Sequence, residues 1–150
     1  MLTVQIGIAQ LAIILCLVYI PPGSTVHTCE PLFNHLNELT NKYDSLLILG
    51  DFNIPDVNWN TLTATSLLSD SFCDLVFDLN LSQLIDNPTH IQGNILDLIL
   101  TNQEELIHSV TVHSREAFPI HSDHYPITFK LSFYSYHQSR KCQYCGQHCL

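Results

Sequence analysis

The chain has 150 residues, which is enough for one domain with a hydrophobic core. Hydrophobic residues make up 46% of it and charged residues 13%, a balance that excludes an intrinsically disordered protein. The formal net charge is −9, so the sequence does not predict the positively charged surface that nucleic-acid-binding proteins usually carry. This argues against strong autonomous binding to nucleic acid. Action on phosphodiesters is not excluded, because carboxylates can hold a divalent cation that supplies positive charge.

The first twenty residues are strongly apolar, as in a signal peptide or a membrane span. The first positive residue is Lys42, however, whereas a signal peptide begins with a positive segment. Two glutamines interrupt the run, which disfavours a membrane helix. The Ile, Val and Leu content predicts instead a hairpin of two buried strands, about 2–8 and 11–20, turning near Ala9-Gln10. Targeting or membrane insertion is the lesser alternative, and we expect no membrane partner.

A loop rich in Pro, Gly, Ser and Thr, residues 21–28, precedes the first predicted helix, residues 29–43. Thr28 is the expected N-cap, and Pro31 then falls in the first turn, where proline is tolerated. Leucines at helical spacing give this helix one apolar face.

The rest of the chain alternates between strands and one more helix. The apolar run 45–49, closed by Gly50, predicts a central buried strand. Apolar residues at helical spacing predict a second helix over 67–79. Further strands are predicted at 81–85, 95–101, 107–112 and 125–133. The order predicts an α/β (α+β) layered sandwich with one mixed sheet of about six strands and the two helices on its outer face.

Three short polar segments stand beside or within the predicted strands. Gly50-Asp51-Phe52-Asn53 follows a buried strand, and its glycine permits a sharp departure. Asp97 lies within an apolar strand, where a buried carboxylate needs a partner. Ser122-Asp123-His124 directly precedes the last strand. Each segment alone also fits a turn or a solvated loop. Together they offer three carboxylates, an amide and an imidazole, which are suited to metal-assisted phosphodiester hydrolysis.

Four segments, taken in order, resemble the successive motifs of the endonuclease/exonuclease/phosphatase family. Tyr19-Ile20-Pro21-Pro22 is similar to the Tyr-x-Pro-Pro turn of non-LTR retrotransposon endonucleases, which are apurinic-endonuclease-like. LLILGDFN at 46–53, NILDLILTN at 94–102 and SDHYPITFKL at 122–131 follow it. The resemblance covers about residues 3–132 and implies Mg²⁺-dependent (or Mn²⁺-dependent) nicking of DNA. It also implies DNA as the partner and the nucleus or cytoplasm as the location.

The resemblance implies a role for each site residue. Asp51 would orient or deprotonate the attacking water, and Asn53 would hold that water or a phosphate oxygen. Asp123 would sit in the metal sphere, directly or through water, with Asp51 as the other metal-binding carboxylate, since hard oxygens suit Mg²⁺. His124 would hydrogen-bond the scissile phosphate and stabilise charge in the pentacovalent state. Asp97 would bond the far ring nitrogen of His124 and favour its charged form.

The family pattern also has an N-terminal strand bearing an Asn, followed by a metal-binding Glu, both upstream of the Tyr-Pro-Pro turn. No glutamate here stands in a matching place. We therefore expect residues 1–133 to be a truncated domain, the C-terminal part only, with weak or absent activity. Its sheet would expose an apolar face that the missing half of the domain or a second copy could cover. The alternatives are a non-catalytic remnant or interaction fragment, and a phosphatase or exonuclease of the same family.

Residues 134–150 are interpreted as a polar, Cys-rich tail that is disordered. Its residue types suit Zn²⁺, but two of the four candidate ligands are adjacent, so an unrelated extension is the preferred interpretation. The candidate zinc ligands are Cys142, Cys145, His148 and Cys149. No regular disulfide framework is visible, and Cys16, Cys29 and Cys73 are expected to be buried thiols. Five histidines are interpreted as ordinary solvated or packed side chains: His27, His35, His90, His108 and His113.

Overall fold

The computed structural model describes residues 1–8, 11–119 and 121–132, in which two helices pack on a mixed β-sheet. The helices are α1 (Val26–Lys42) and α2 (Leu67–Asp78). The strands are β1 (Leu2–Ile8), β2 (Leu11–Tyr19), β3 (Leu46–Asp51), β4 (Ser82–Gln83), β5 (Asp97–Thr101), β6 (Ile107–Val112) and β7 (Ile127–Leu131). The predicted tail 134–150, its candidate zinc ligands and the turn at 9–10 lie outside the described residues.

The mixed sheet has the strand order β1-β2-β3-β5-β4. Antiparallel pairing of β1 with β2 confirms the predicted hairpin, and β2 is joined through α1 to the parallel strand β3. β5 runs antiparallel to both β3 and β4. Among the described residues the sheet has five strands rather than about six, because β6 and β7 pair with each other in a separate two-stranded sheet. The predicted layered α/β fold, with one mixed sheet and flanking helices, is confirmed.

Helix α1 begins at Val26, three residues earlier than predicted. The hydroxyl of Thr28 accepts a 2.9 Å hydrogen bond from the Thr25 backbone N–H, and the Thr25 hydroxyl accepts one from the Thr28 N–H. This reciprocal pair is a capping box, so Thr25 is the N-cap and the predicted cap at Thr28 was wrong. Pro31 therefore lies inside the helix. Neither helix in the described ranges has the length and apolarity to cross a bilayer.

The two faces of the sheet are covered differently. On one face, side chains of β2, β3 and β5 pack with both helices into the main core, where the rings of Phe52 and Phe72 lie 5.0 Å apart. On the other face, β6 and β7 contribute to a smaller cluster that includes Ile13, Leu47 and Ile99. Alternate residues of a strand point to opposite faces, so each strand supplies both clusters.

The second face is open over β1 and the end of β2. Leu2 and Leu17, which pair across these strands, are 58% and 42% exposed, and Val4 and Tyr19 are exposed beside them. Within the part of the chain that the structure describes, β1 is an edge strand with a neighbour on one side. The prediction that both hairpin strands are buried is therefore wrong for β1. The exposed side chains of this face are apolar, and its covering by the missing half of the domain or by a second copy stays a prediction.

Cys16, Cys29 and Cys73 are buried free thiols, as predicted. Burial raises the pKa of the Cys16 and Cys73 thiols above the usual value, so neither is an activated nucleophile.

Candidate active site

Two carboxylates stand opposite each other where adjacent strands meet the rim of the sheet. Asp51 ends β3 and Asp97 begins β5, and the antiparallel register makes them direct partners. Their side chains are 21% and 23% exposed. Burial, and then the charge of Asp97, raises the pKa of Asp51. Like charges placed in this way destabilise a sheet, and perturbed groups of this kind concentrate at functional sites.

The backbone that carries Asp51 is fixed by close packing of β2 on β3. Gly50 has a φ of 155°, and a Cβ on it would lie 1.9 Å from the carbonyl oxygen of Val18 on β2. A side chain at this position would therefore force the strands apart. The Ile20 N–H donates to the Asp51 carbonyl at 2.9 Å, which continues the pairing into the Ile20-Pro21-Pro22 turn.

Asn53 holds the Asp51 carboxylate at both oxygens. Its backbone N–H donates to Oδ1 at 3.2 Å, and its side-chain Nδ2 donates to Oδ2 at 2.8 Å. Nδ2 also donates to the Ile20 carbonyl at 3.0 Å. Both amide hydrogens are thereby used, and Oδ1 of Asn53 is the atom left to accept from a water or a substrate. Asn53 has a φ of 49°, a left-handed conformation that asparagine tolerates well.

The ring of His124 lies between the two carboxylates. Its Nδ1 is 2.7 Å from Oδ2 of Asp97, and its Nε2 is 4.0 Å from Oδ2 of Asp51. Burial alone would lower the pKa of His124. The hydrogen bond with Asp97 and the surrounding negative charges outweigh burial and raise it above the usual value. The raised pKa extends to higher pH the range in which the ring carries a proton on each nitrogen.

Thr89 positions Asp97 from behind. Its fully buried hydroxyl oxygen accepts hydrogen bonds from the backbone N–H groups of Leu96 at 2.9 Å and Asp97 at 3.0 Å. Thr89 was not among the predicted site residues. The one local signal was the segment Asn87-Pro88-Thr89-His90, which marks a turn without identifying its partner.

Asp123 stands beside this group and contacts a different histidine. Its 62% exposed carboxylate has Oδ2 3.2 Å from Nε2 of the buried His90. A hydrogen bond from His90 lowers the pKa of Asp123. The His90 and His124 rings meet edge to face with centroids 5.0 Å apart. The structure therefore groups Asp51, Asn53, Asp97 and His124, and it places Asp123 next to that group, against His90.

Two sets of side chains in the described residues fit a metal ion. Asp51, Asp97 and His124 form one, and His90, Asp123 and His124 form the other; in each, the candidate ligand atoms lie within 4.8 Å of one another. In the described part of the chain, the ion pairs of these three carboxylates are all with histidine, and none is with Lys or Arg. A divalent cation would relieve the clustered negative charge, and carboxylate oxygens suit Mg²⁺ or Mn²⁺. The ligand atoms of these side chains therefore fit either Mg²⁺ or Mn²⁺.

A family model described as endonuclease-reverse transcriptase matches residues 13–128. Among solved structures, the endonuclease domain of TRAS1, a telomere-specific non-LTR retrotransposon, superposes with a TM-score of 0.68 at 20% identity, over 86% of this chain and 60% of that one. The 3′ phosphatase NExo from Neisseria, bound to a product DNA hairpin, gives 0.58 at 18% identity, over 87% and 65%. This chain therefore spans less than two thirds of either structure, and the likeness establishes the fold. A comparison with curated proteins finds no match.

Proposed function

The chain belongs to the endonuclease-reverse transcriptase family, and from that premise we propose that it is a metal-dependent phosphodiesterase domain that nicks DNA. The observation that carries the proposal is the His124 ring held between Asp51 and Asp97 at the rim of the sheet. An imidazole and a carboxylate 4.0 Å apart would serve as hydrogen-bond donor and general base in the hydrolysis of a phosphodiester. The TRAS1 match is itself an endonuclease domain, and the NExo match is bound to DNA.

Asp51 is the proposed base. Its raised pKa makes it a better proton acceptor than an ordinary aspartate, and Asn53 fixes its orientation through both oxygens. The free Oδ1 of Asn53 would accept a hydrogen bond from the attacking water. A divalent cation, Mg²⁺ or Mn²⁺, held by Asp51 and Asp123, would supply positive charge to the phosphate and lower the pKa of a bound water.

His124 is the proposed hydrogen-bond donor to the phosphate. Asp97 holds its Nδ1, so its Nε2–H is directed away from Asp97 and toward the Asp51 side of the site. In that position it would donate to a phosphate oxygen as negative charge develops. Tyr19, which pairs with Asp51 across β2 and β3 and is 63% exposed, would offer a hydroxyl to the same substrate.

The 150-residue chain by itself is proposed to be a weak nuclease. The acidic groups at its site are three aspartates, whereas its glutamates lie in α1 and in the turns that flank β6: Glu30, Glu38, Glu104, Glu105 and Glu116. The net charge of −9 also opposes contact with the phosphate backbone. We therefore expect slow turnover and weak DNA affinity that falls further with added salt.

The test is nicking of supercoiled plasmid with Mg²⁺ or Mn²⁺. We expect slow metal-dependent nicking that Asp51→Ala reduces to the background level. Asp78→Ala, which removes an exposed carboxylate at the end of α2, is the matched control and should leave the rate unchanged.

Robust cleavage that Asp51→Ala abolishes would refute the proposed weakness. Cleavage that persists in Asp51→Ala would refute the assigned site, and no cleavage at all would favour a non-catalytic remnant. Release of a 3′-phosphate from a DNA hairpin would point to the phosphatase alternative.

A further inference from the structure

His90 holds Asp123 from a rigid, buried position. The His90 side chain is 10% exposed, whereas the Asp123 side chain that it contacts is 62% exposed. An exposed aspartate ordinarily samples several rotamers, and ordering it costs conformational entropy. A packed ring with its nitrogen 3.2 Å from one carboxylate oxygen selects a single orientation in advance.

The hydrogen bonding of His90 fixes which ring nitrogen carries the proton. The backbone N–H of Gln92 points at Nδ1 of His90 at 3.3 Å, so Nδ1 acts as an acceptor. In a neutral imidazole the other nitrogen, Nε2, must then carry the hydrogen. A nitrogen that carries a hydrogen cannot bind a metal, but it can donate to a carboxylate. This tautomer makes His90 a partner of Asp123 rather than a direct metal ligand.

The backbones on either side of this contact are already joined. The Ile91 N–H donates to the Asp123 carbonyl at 3.0 Å, and the Tyr125 N–H donates to the Thr89 carbonyl at 2.7 Å. The loop before β7 is thereby attached to the segment before β5. What these bonds leave undetermined is the rotation of the Asp123 side chain, and the His90 ring restricts that rotation.

We propose that His90 is a positioning residue: its Nε2–H holds Oδ2 of Asp123 and thereby orients this carboxylate toward a divalent cation beside His124. The proposal rests on the proposed function, because it assigns Asp123 to the cation. Partners that orient metal-binding side chains typically change metal affinity by about 10- to 100-fold when they are removed.

Mn²⁺ binding to the full chain, measured by water-proton relaxation, tests the proposal without relying on turnover. His90→Phe keeps a packed ring without a donor and should weaken Mn²⁺ binding by about 10-fold. His90→Gln keeps an N–H donor near the place of Nε2 and should stay within about 3-fold of the wild type. His27→Gln, at a 94% exposed position in α1, is the matched control and should not change the affinity. Equal loss in the Phe and Gln variants, or loss in Gln alone, would overturn the proposal.

Nitrogen NMR of the His90 ring provides a second arm that needs no metal. We expect hydrogen on Nε2 and none on Nδ1, with faster exchange of that hydrogen in Asp123→Ala. Hydrogen on Nδ1 in the metal-free protein would overturn the proposal. In a separate titration with diamagnetic Mg²⁺, loss of the Nε2 hydrogen would overturn it in favour of direct ligation. If the wild type binds no Mn²⁺, the proposed cation fails, whereas the tautomer and its response to Asp123→Ala still decide the role of His90.

Discussion

The two faces of the five-stranded sheet differ in how far their apolar side chains are buried and how well their charged groups are paired. On the helix face, apolar side chains are fully buried and the polar groups at the start of α2 are hydrogen-bonded. The Asp56 carboxylate accepts bonds there from Thr65, Ser66 and Ser69. On the other face, Asp51 and Asp97 stand opposite each other, and the nearby leucines of β1 and β2 are exposed.

The helix face therefore contributes mainly to the stability of the domain, whereas the open face carries the candidate site. The helix face combines apolar burial with a hydrogen-bonded carboxylate at the start of α2, and both features contribute to stability. The open face keeps two like charges together, which lowers stability but supplies oxygen ligands of the kind that a cation requires. Active sites commonly show this opposition between stability and function. Substitutions on the two faces should therefore have different magnitudes and different dependence on pH.

The largest expected effect comes from Phe72→Ala on the helix face. Phe72 is 1% exposed and packs between Phe33 and Phe52 at centroid distances of 5.9 Å and 5.0 Å. Removal of its ring leaves a cavity and should lower the free energy of unfolding by about 4 kcal/mol, measured in urea. The matched change on the open face, Leu17→Ala, should lower it by less than about 1 kcal/mol, because Leu17 is already 42% exposed. A similar loss at both positions would mean that the open face is covered in solution, as by a second copy.

A smaller effect is expected from Asp56→Asn at the start of α2. An amide can replace only part of the hydrogen bonding of the carboxylate, so the free energy of unfolding should fall by about 2 kcal/mol near neutral pH. Burial opposes ionisation of Asp56, but hydrogen bonds from Ser69, Ser66 and Thr65 outweigh it and hold its pKa far below the usual range. Asp70→Asn, an exposed change in the first turn of the same helix, should lower it by about 0.5 kcal/mol.

The pH dependence of the Asp56 effect has a definite sign. Because the pKa is lowered in the folded state, the contribution of Asp56 is fully present above the unfolded pKa of about 3.9 and is lost as pH falls. Urea unfolding at about pH 7 and about pH 3 should therefore show the difference between wild type and Asp56→Asn shrinking in acid. A difference that stays constant would mean that Asp56 acts through shape alone.

Much of the fold was predictable because its elements carry local patterns. The periodic apolar residues of α2 and the uninterrupted apolar run of β3 located both elements within one or two residues. The start of α1 was misplaced because Pro31 suggested a first turn, whereas the Thr25–Thr28 capping box determines it. The separate pairing of β6 with β7 was not predictable. Which strands pair depends on the tertiary packing around them, and a strand's own sequence does not specify that packing.

The site was predictable as a set of residues but not as a geometry. Asp51, Asp97 and His124 were predicted to meet, and the structure places them together; their catalytic roles remain predictions. Thr89 and His90 were missed because their partners are decided by tertiary contacts. The bridge between His90 and His124 joins positions far apart along the chain, and no short-range pattern encodes it.

The smallest effect, and the one that tests the open face most directly, is expected from Asp97→Asn. This change removes the like charge beside Asp51 and the charged partner of His124 at the same time. The His124 pKa is raised in the folded state, so its stabilisation is present below the unfolded pKa of about 6.5 and is lost as pH rises through the folded pKa. Asp51, Asp97, Asp123 and His90 are the titratable groups that face the ring.

The sign of the stability change in Asp97→Asn should therefore reverse with pH. Near pH 5.5, where His124 is charged, the variant should be less stable by about 0.5 to 1 kcal/mol, because it loses a partly exposed ion pair. At alkaline pH, above the measured end of the His124 titration in both proteins, relief of the repulsion on Asp51 should make the variant slightly more stable, by about 0.5 kcal/mol. NMR titration should show the His124 pKa falling toward its usual value in the variant, whereas Asp86→Asn, at an exposed loop position, should leave it unchanged. A stability difference of one sign at every pH would mean that the repulsion between Asp51 and Asp97 is already screened. The open face would then lack the unbalanced charge that distinguishes it from the helix face.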